Sequence, residues 1–315
     1  MTPDALQSGP QAGPDSPAQA AQAGPFAVTL LCNPAAPRLD PALVSALKNA
    51  WGGAELRVLA PDTAAEFFID RMPDNRWQVW EDCQKLGVDL VVQPAAGRRK
   101  AMLLADMDST MIEQECIDEL ADMAGVGDRV KQITARAMNG ELDFEAALRE
   151  RVALLRGLPE TVIDQVLAER ITLMPGGRAL VATMKAHGGH AALVSGGFTA
   201  FTARVAARLG FDEHRANRLL AEAGQLTGTV AEPILGRAAK VAALAEITAR
   251  LGIAESDVIA VGDGANDLGM LGRAGTGVAL HAKPSVAAQC EVRINHGDLT
   301  ALLYLQGYSQ SDFAG

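Results

Sequence analysis

Four apolar runs constrain this chain most: AMLLADMD (101–108), GHAALVSGG (189–197), SDVIAVGDGAND (256–267) and GTGVAL (275–280). Near-continuous apolar strands of this kind belong to a parallel sheet covered by helices on both faces. Amphipathic segments with helical spacing separate them, so the expected class is α/β with alternating strands and helices. Small, polar or acidic residues gather at the carboxyl ends of these runs. Ligands of open α/β sheets bind just beyond those ends. Separate stretches of sequence therefore deliver polar groups to one edge. Residues 113–170 interrupt the alternation with several amphipathic helices.

The first third of the chain reads differently. Residues 1–25 are rich in Pro, Gly, Ala and Gln. They lack the apolar side chains that could offset ordering entropy, which predicts a disordered tail. From there FAVTLLC (26–32), AELRVLA (54–60), AEFFID (65–70) and VDLVVQP (88–94) read as strands. PALVSALKNA (41–50) and NRWQVWEDCQKLG (75–87) read as helices. The order β-α-β-β-α-β is ferredoxin-like. AAGRRK (95–100) reads as a linker. The expected domains are a unit over 26–97 and a larger one over 98–315, with a helical insert at about 112–172.

Composition narrows the partners. The 315 residues carry a formal net charge of −10, with 49% hydrophobic and 21% charged residues. An acidic balance disfavours nucleic acid and anionic membrane. No apolar run reaches the roughly 18 residues of a membrane span. Residues 1–25 contain no Lys or Arg and no apolar core, unlike a secretory or transit signal. A cytoplasmic protein is expected. Cys32, Cys83, Cys116 and Cys290 are scattered without C-x-x-C spacing, which predicts reduced thiols.

Asp106 and Asp108 close the first run within DMDST (106–110). A single Asp at a strand end is commonly a cap or turn former. Two alternating acids on an extended backbone point the same way, and their repulsion calls for a cation or a shared proton. GDGAND (262–267) adds Asp263 and Asp267 at a second strand end. Hard oxygen ligands without a His or Cys cluster suit Mg²⁺. SGGF (195–198) offers a hydroxyl and approachable backbone N–H groups, and Lys240 opens the apolar helix KVAALAEITARLG (240–252). Each of these two is weak alone, and a solvated lysine is the ordinary reading of Lys240.

In that order, DMDST, SGGF, Lys240 and GDGAND resemble the four motifs of the haloacid dehalogenase phosphatases, over roughly residues 100–303. The segment from Glu115 through DRVKQITARAMNGELDFEAALRERVALLRGL (128–158) is similar to the cap of the phosphoserine phosphatase family. This resemblance implies a Rossmann-like parallel sheet with an inserted helical cap. It also implies Mg²⁺-dependent hydrolysis of phosphoserine through an aspartyl-phosphate, the last step of serine biosynthesis. Asp106 is the implied nucleophile and Asp108 the general acid/base. Mg²⁺ is implied on Asp106, the main-chain carbonyl of Asp108, and Asp263, with Asp267 orienting a water or Lys240. Ser195, Gly196 and Lys240 are implied to bind the phosphoryl group, with Asn266 near the substrate. Arg151 lies on an apolar helical stripe, where snorkelling is the ordinary reading; the family implies a grip on the substrate carboxylate. Glu115 shares a charged face with Asp118, Glu119 and Asp122, and only the resemblance makes it a binder of the substrate ammonium.

Two other readings stay open. One keeps the chemistry with another small phosphomonoester or another acceptor. The other is a signalling receiver that keeps phosphate on Asp, which a second acid placed to activate water disfavours. The N-terminal unit resembles ACT-type regulatory modules. Its turn NPAAPRLDP (33–41) carries no ligand motif. We expect the unit to assist a homo-oligomer and to be dispensable for chemistry.

Overall fold

The computed structural model describes residues 24–138 and 141–315. The expected disordered tail lies outside the described residues apart from its last two positions. The N-terminal unit runs β1 (Phe26–Cys32), α1 (Pro41–Ala50), β2 (Ala54–Ala60), β3 (Ala64–Ile69), α2 (Arg76–Lys85) and β4 (Val88–Pro94). Its antiparallel sheet has the order β2-β3-β1-β4, as the ferredoxin-like reading requires. Asp40 starts α1 by accepting the Ala42 N–H at 2.8 Å, with Pro41 in the first turn.

Both faces of this sheet are covered. Val28, Leu30, Phe67 and Leu90 pack beneath α1 and α2. Leu31, Ala64 and Val91 join the apolar core of the rest of the chain. Two buried carboxylates tie the halves together. Asp89 accepts the N–H groups of Asn295, His296 and Gly297 at 2.9, 2.9 and 2.8 Å. Glu66 is paired with Arg98, and both are buried. Arg98 lies in the stretch that reads as a linker. A guanidinium in a Gly/Arg-rich run looks solvated until its long-range partner is known.

The remainder is built on a parallel sheet, β12-β11-β10-β5-β6-β7. After β5 (Met102–Ala105) come four helices: α3 (Cys116–Met123), α4 (Gly127–Met138), α5 (Phe144–Ala153) and α6 (Val162–Glu169). Next follow α7 (Gly177–Ala186), β6 (His190–Phe198), α8 (Thr199–Leu209) and β7 (Glu213–Asn217). A hairpin, β8 (Leu219–Glu222) and β9 (Gln225–Val230), precedes α9 (Arg237–Leu251). The chain ends through β10 (Val258–Gly262), α10 (Leu268–Arg273), β11 (Thr276–Leu280), α11 (Pro284–Ala287), β12 (Val292–Ile294) and α12 (Ala301–Leu305). No helix among the described residues is long and apolar enough to cross a membrane. All four cysteines are free and buried.

Candidate active site

The central strands β10, β5 and β6 are neighbours, so their carboxyl ends bring three of the sequence motifs side by side. The Asp106 N–H donates to the Val261 carbonyl at 3.0 Å, which continues the β5–β10 ladder and sets Asp106 beside the loop of Asp263. Carboxylate oxygens of Asp106, Asp263 and Asp267 all lie within 4.8 Å of one another. Lys240, near the start of α9, is 2% exposed. Its Nζ reaches Asp106 Oδ1 at 2.7 Å and Asp267 Oδ1 at 2.6 Å. The ordinary solvated reading of this lysine is thereby excluded.

Charge in this cluster is unbalanced. Burial pushes the Asp106 carboxyl well above the usual carboxylate range; Lys240 opposes that rise, while Asp267 and Asp108 add to it. Burial also raises Asp263 to about 6, helped by Asp267 and opposed by Lys283 and Lys240. Burial would lower the Lys240 ammonium, yet Asp106 and Asp267 reverse the sign and hold it charged. Three carboxylates thus face one ammonium. An all-oxygen set with two surplus negative charges fits a hard dication such as Mg²⁺. Gly262 permits the packing: a Cβ there would stand 2.4 Å from Asp267 Cγ.

The Asp108 carboxylate is engaged elsewhere. Oδ1 accepts the Cys116 N–H at 2.9 Å, and Oδ2 accepts the Ser195 hydroxyl at 3.0 Å. Ser195 Oγ in turn accepts the Gly197 N–H at 2.8 Å. Gly197 cannot carry a side chain here, since its Cβ would lie 2.5 Å from Asp108 Oδ2. A Cβ on Gly196 would lie 3.9 Å from Asn266 Nδ2, which places Asn266 against the same loop.

Helices α3 to α6 supply the other side. Arg151 on α5 is half-buried, and its Nε donates to the Ala147 carbonyl at 3.2 Å. Burial lowers its pKa, while Asp118, Glu115 and Asp108 pull it back, so its charge faces the site acids. Glu115 is exposed and accepts the Ser109 hydroxyl at 2.9 Å. Desolvation first, then Asp108, pushes its carboxyl up to about 7. Ser109 adopts a left-handed φ of 53°, a conformation disfavoured for residues other than Gly.

Two residues escaped sequence reasoning. Phe144 wedges over two glycines: a Cβ at Gly196 or at Gly236 would come within 3.2 Å of its ring. An aromatic at helical spacing on the apolar face of α5 signals only packing in the sequence. Asn217, at the end of β7, is 2% exposed and bonds to the backbone of Gly196 and Leu235. A lone Asn before a loop reads as a turn residue, and nothing local could have found its distant partners.

Fold and site together define an α/β protein with an acid–lysine cluster at the carboxyl edge of a parallel sheet, beneath inserted helices. A family model for haloacid dehalogenase-like hydrolases matches residues 103–272. A phosphoserine phosphatase of Streptomyces coelicolor is 42% identical over 256 residues, covering 80% of this chain and 62% of that protein. Among solved structures, a HAD family hydrolase from Salmonella enterica serovar Typhi superposes with a TM-score of 0.81 at 32% identity, over 89% of this chain and 98% of that one. A phosphoserine phosphatase solved as a phospho-aspartyl intermediate analogue gives 0.61 at 40% identity, over 65% of this chain and 98% of that one. The chain belongs to the haloacid dehalogenase-like hydrolase family.

Proposed function

We propose that this chain hydrolyses O-phospho-L-serine to L-serine and inorganic phosphate through an aspartyl-phosphate on Asp106. The observation that carries the reading is the buried cluster of Asp106, Lys240, Asp263 and Asp267 facing helices that hold Arg151 and Glu115. Relatives that bear the name phosphoserine phosphatase support it.

Asp106 attacks phosphorus, the P–O bond to serine breaks, and the leaving alkoxide takes a proton from Asp108. Asp108 then accepts a proton from water as that water attacks phosphorus, the acyl-phosphate bond breaks, and Asp106 is restored. The first step must bring a carboxylate against a phosphate of like charge. Unit charges about 4 Å apart repel by roughly 4 kcal/mol at an effective dielectric of 20. Lys240, fixed between two carboxylates, offsets part of this without reorganising. Asp106, the main-chain carbonyl of Asp108, and Asp263 would hold Mg²⁺, with Asp267 as support. When bound, the ion supplies positive charge against the phosphoryl oxygens. Ser195 and the Gly196 N–H bind the phosphoryl group, with Asn266 beside them. Arg151 grips the substrate carboxylate and Glu115 the ammonium. These two contacts select phosphoserine among small phosphomonoesters.

In this reading, residues 26–97 form one folding unit. Residues 98–315 form the catalytic unit, with its cap at about 112–172. A cytoplasmic homo-oligomer is the proposed working form. The test is phosphate release from phosphoserine with Mg²⁺ and after its removal by a chelator, in the wild type and in Asp106→Asn. Sustained release only by the metal-loaded wild type is expected. Turnover by a folded Asp106→Asn protein would remove the nucleophile. A single stoichiometric phosphorylation would favour a receiver instead.

A further inference from the structure

We infer that Asn217 is a positioning residue that holds the acid/base carboxylate and the lysine helix in register through two backbone segments. This rests on the catalytic reading above. Strand β7 pairs with β6, but the register shifts between Val194 and Phe198, and Phe198 stands opposite Asn217. The shift frees the backbone of 195–197 from the ladder, so its polar groups need other partners. Asn217 Nδ2 donates to the Gly196 carbonyl at 2.8 Å and to the Leu235 carbonyl at 3.1 Å. Its Oδ1 accepts the Leu235 N–H at 2.7 Å. The side chain is buried, and both ends of its amide are used.

The first arm leads to the acid/base. The Gly196 carbonyl and the Gly197 N–H belong to one planar peptide, so anchoring the oxygen fixes where the hydrogen points. That hydrogen goes to Ser195 Oγ at 2.8 Å, and the serine hydroxyl goes to Asp108 Oδ2 at 3.0 Å. Little room exists at the end of the relay, because even a Cβ on Gly197 would stand 2.5 Å from that carboxylate oxygen. The second arm leads to the lysine. Leu235 lies two residues before α9, and Lys240 sits near that helix's start. One amide therefore ties the serine loop to the helix that carries the buried ammonium. An amide alone has the two donors and the acceptor this needs; Asp lacks the donors and Ala lacks all.

The experiment is a double-mutant cycle between Asn217→Ala and Ser195→Ala, read as kcat and KM for phosphoserine with Mg²⁺ present. Misplacing catalytic groups by about 1 Å can cost on the order of 100-fold. Asn217→Ala should lower kcat by roughly 10- to 100-fold while KM moves by less than about threefold. In the Ser195→Ala background the same change should cost at least about threefold less than in the wild type, since the first arm is already cut and only the arm to the lysine helix remains. Asn217→Asp keeps the acceptor for Leu235 and loses the donor to Gly196, so its kcat should fall as well. Losses that multiply across the cycle would overturn the inference, as would a normal kcat with only a lowered melting temperature. If the wild type releases no phosphate, the catalytic reading fails separately. The relay is then judged on the Gly197 amide, whose exchange protection should drop about tenfold or more in Asn217→Ala. Unchanged protection overturns it.

Discussion

Arg151 and Glu115 show how much a single residue's environment adds to its pattern. Periodicity placed Arg151 on an apolar stripe and Glu115 on a solvated face, and both placements describe the helices correctly. What periodicity could not show is that both charges interact electrostatically with Asp108. If Arg151 binds the substrate carboxylate, Arg151→Ala should reduce kcat/KM for phosphoserine by at least about tenfold more than for phosphoethanolamine, which lacks that group. Steady-state kinetics on both substrates checks this, and equal losses would mark a structural arginine. Glu115 carries a pH signature. Desolvation and Asp108 push its carboxyl up to about 7, so on the proposed reading the negative charge offered to the substrate ammonium is present above that pH and lost below it. The kcat/KM for phosphoserine should therefore fall on the acid side of about 7. Glu115→Gln should lower the plateau and remove that limb. Phospholactate, which has no ammonium, should show little of the limb even with the wild type.

At the scale of elements, the strand ends of β5, β6 and β10 were legible because buried parallel strands announce themselves as apolar runs. Their polar ends then had only one edge to share. The hairpin of β8 and β9 was not legible. Its turn is Ala223–Gly224, with φ of 50° and 77°, where Asn-Gly would have signalled it. This hairpin braces the inserted helices: the N–H groups of Gly157 and Glu160 donate to the Leu226 and Gly224 carbonyls at 2.8 and 2.9 Å. The bulge in β6 was visible only as two adjacent glycines, and its necessity emerges from the Asp108 carboxylate pressed against Gly197. On the proposed reading of Asp108 as acid/base, Gly197→Ala should displace that carboxylate and reduce kcat by roughly 10²-fold. A near-normal kcat in this variant would show that the carboxylate has room to move.

For the whole molecule, the N-terminal unit reads in sequence as separable, because its strands and helices are complete by residue 94. The buried carboxylates make it part of the same body. Asp89→Ala would leave three backbone N–H groups of residues 295–297 without their acceptor. It should lower stability by about 3 kcal/mol, measurable by urea unfolding. A chain starting at Ala101 would also expose the apolar surface shared with Leu31, Ala64 and Val91. It should melt at lower temperature and aggregate more readily, whatever chemistry it retains. The link from Asp89 has a further consequence in time. Asp89 and His296 are 207 residues apart, and a ribosome adding about 5–20 residues per second needs roughly 10–40 s to make that span. Until then the early unit displays one bare sheet face and a carboxylate without its acceptor-seeking loop. A nascent or prematurely ended chain therefore keeps that apolar face in water, and only completion of the last strand and helix buries it.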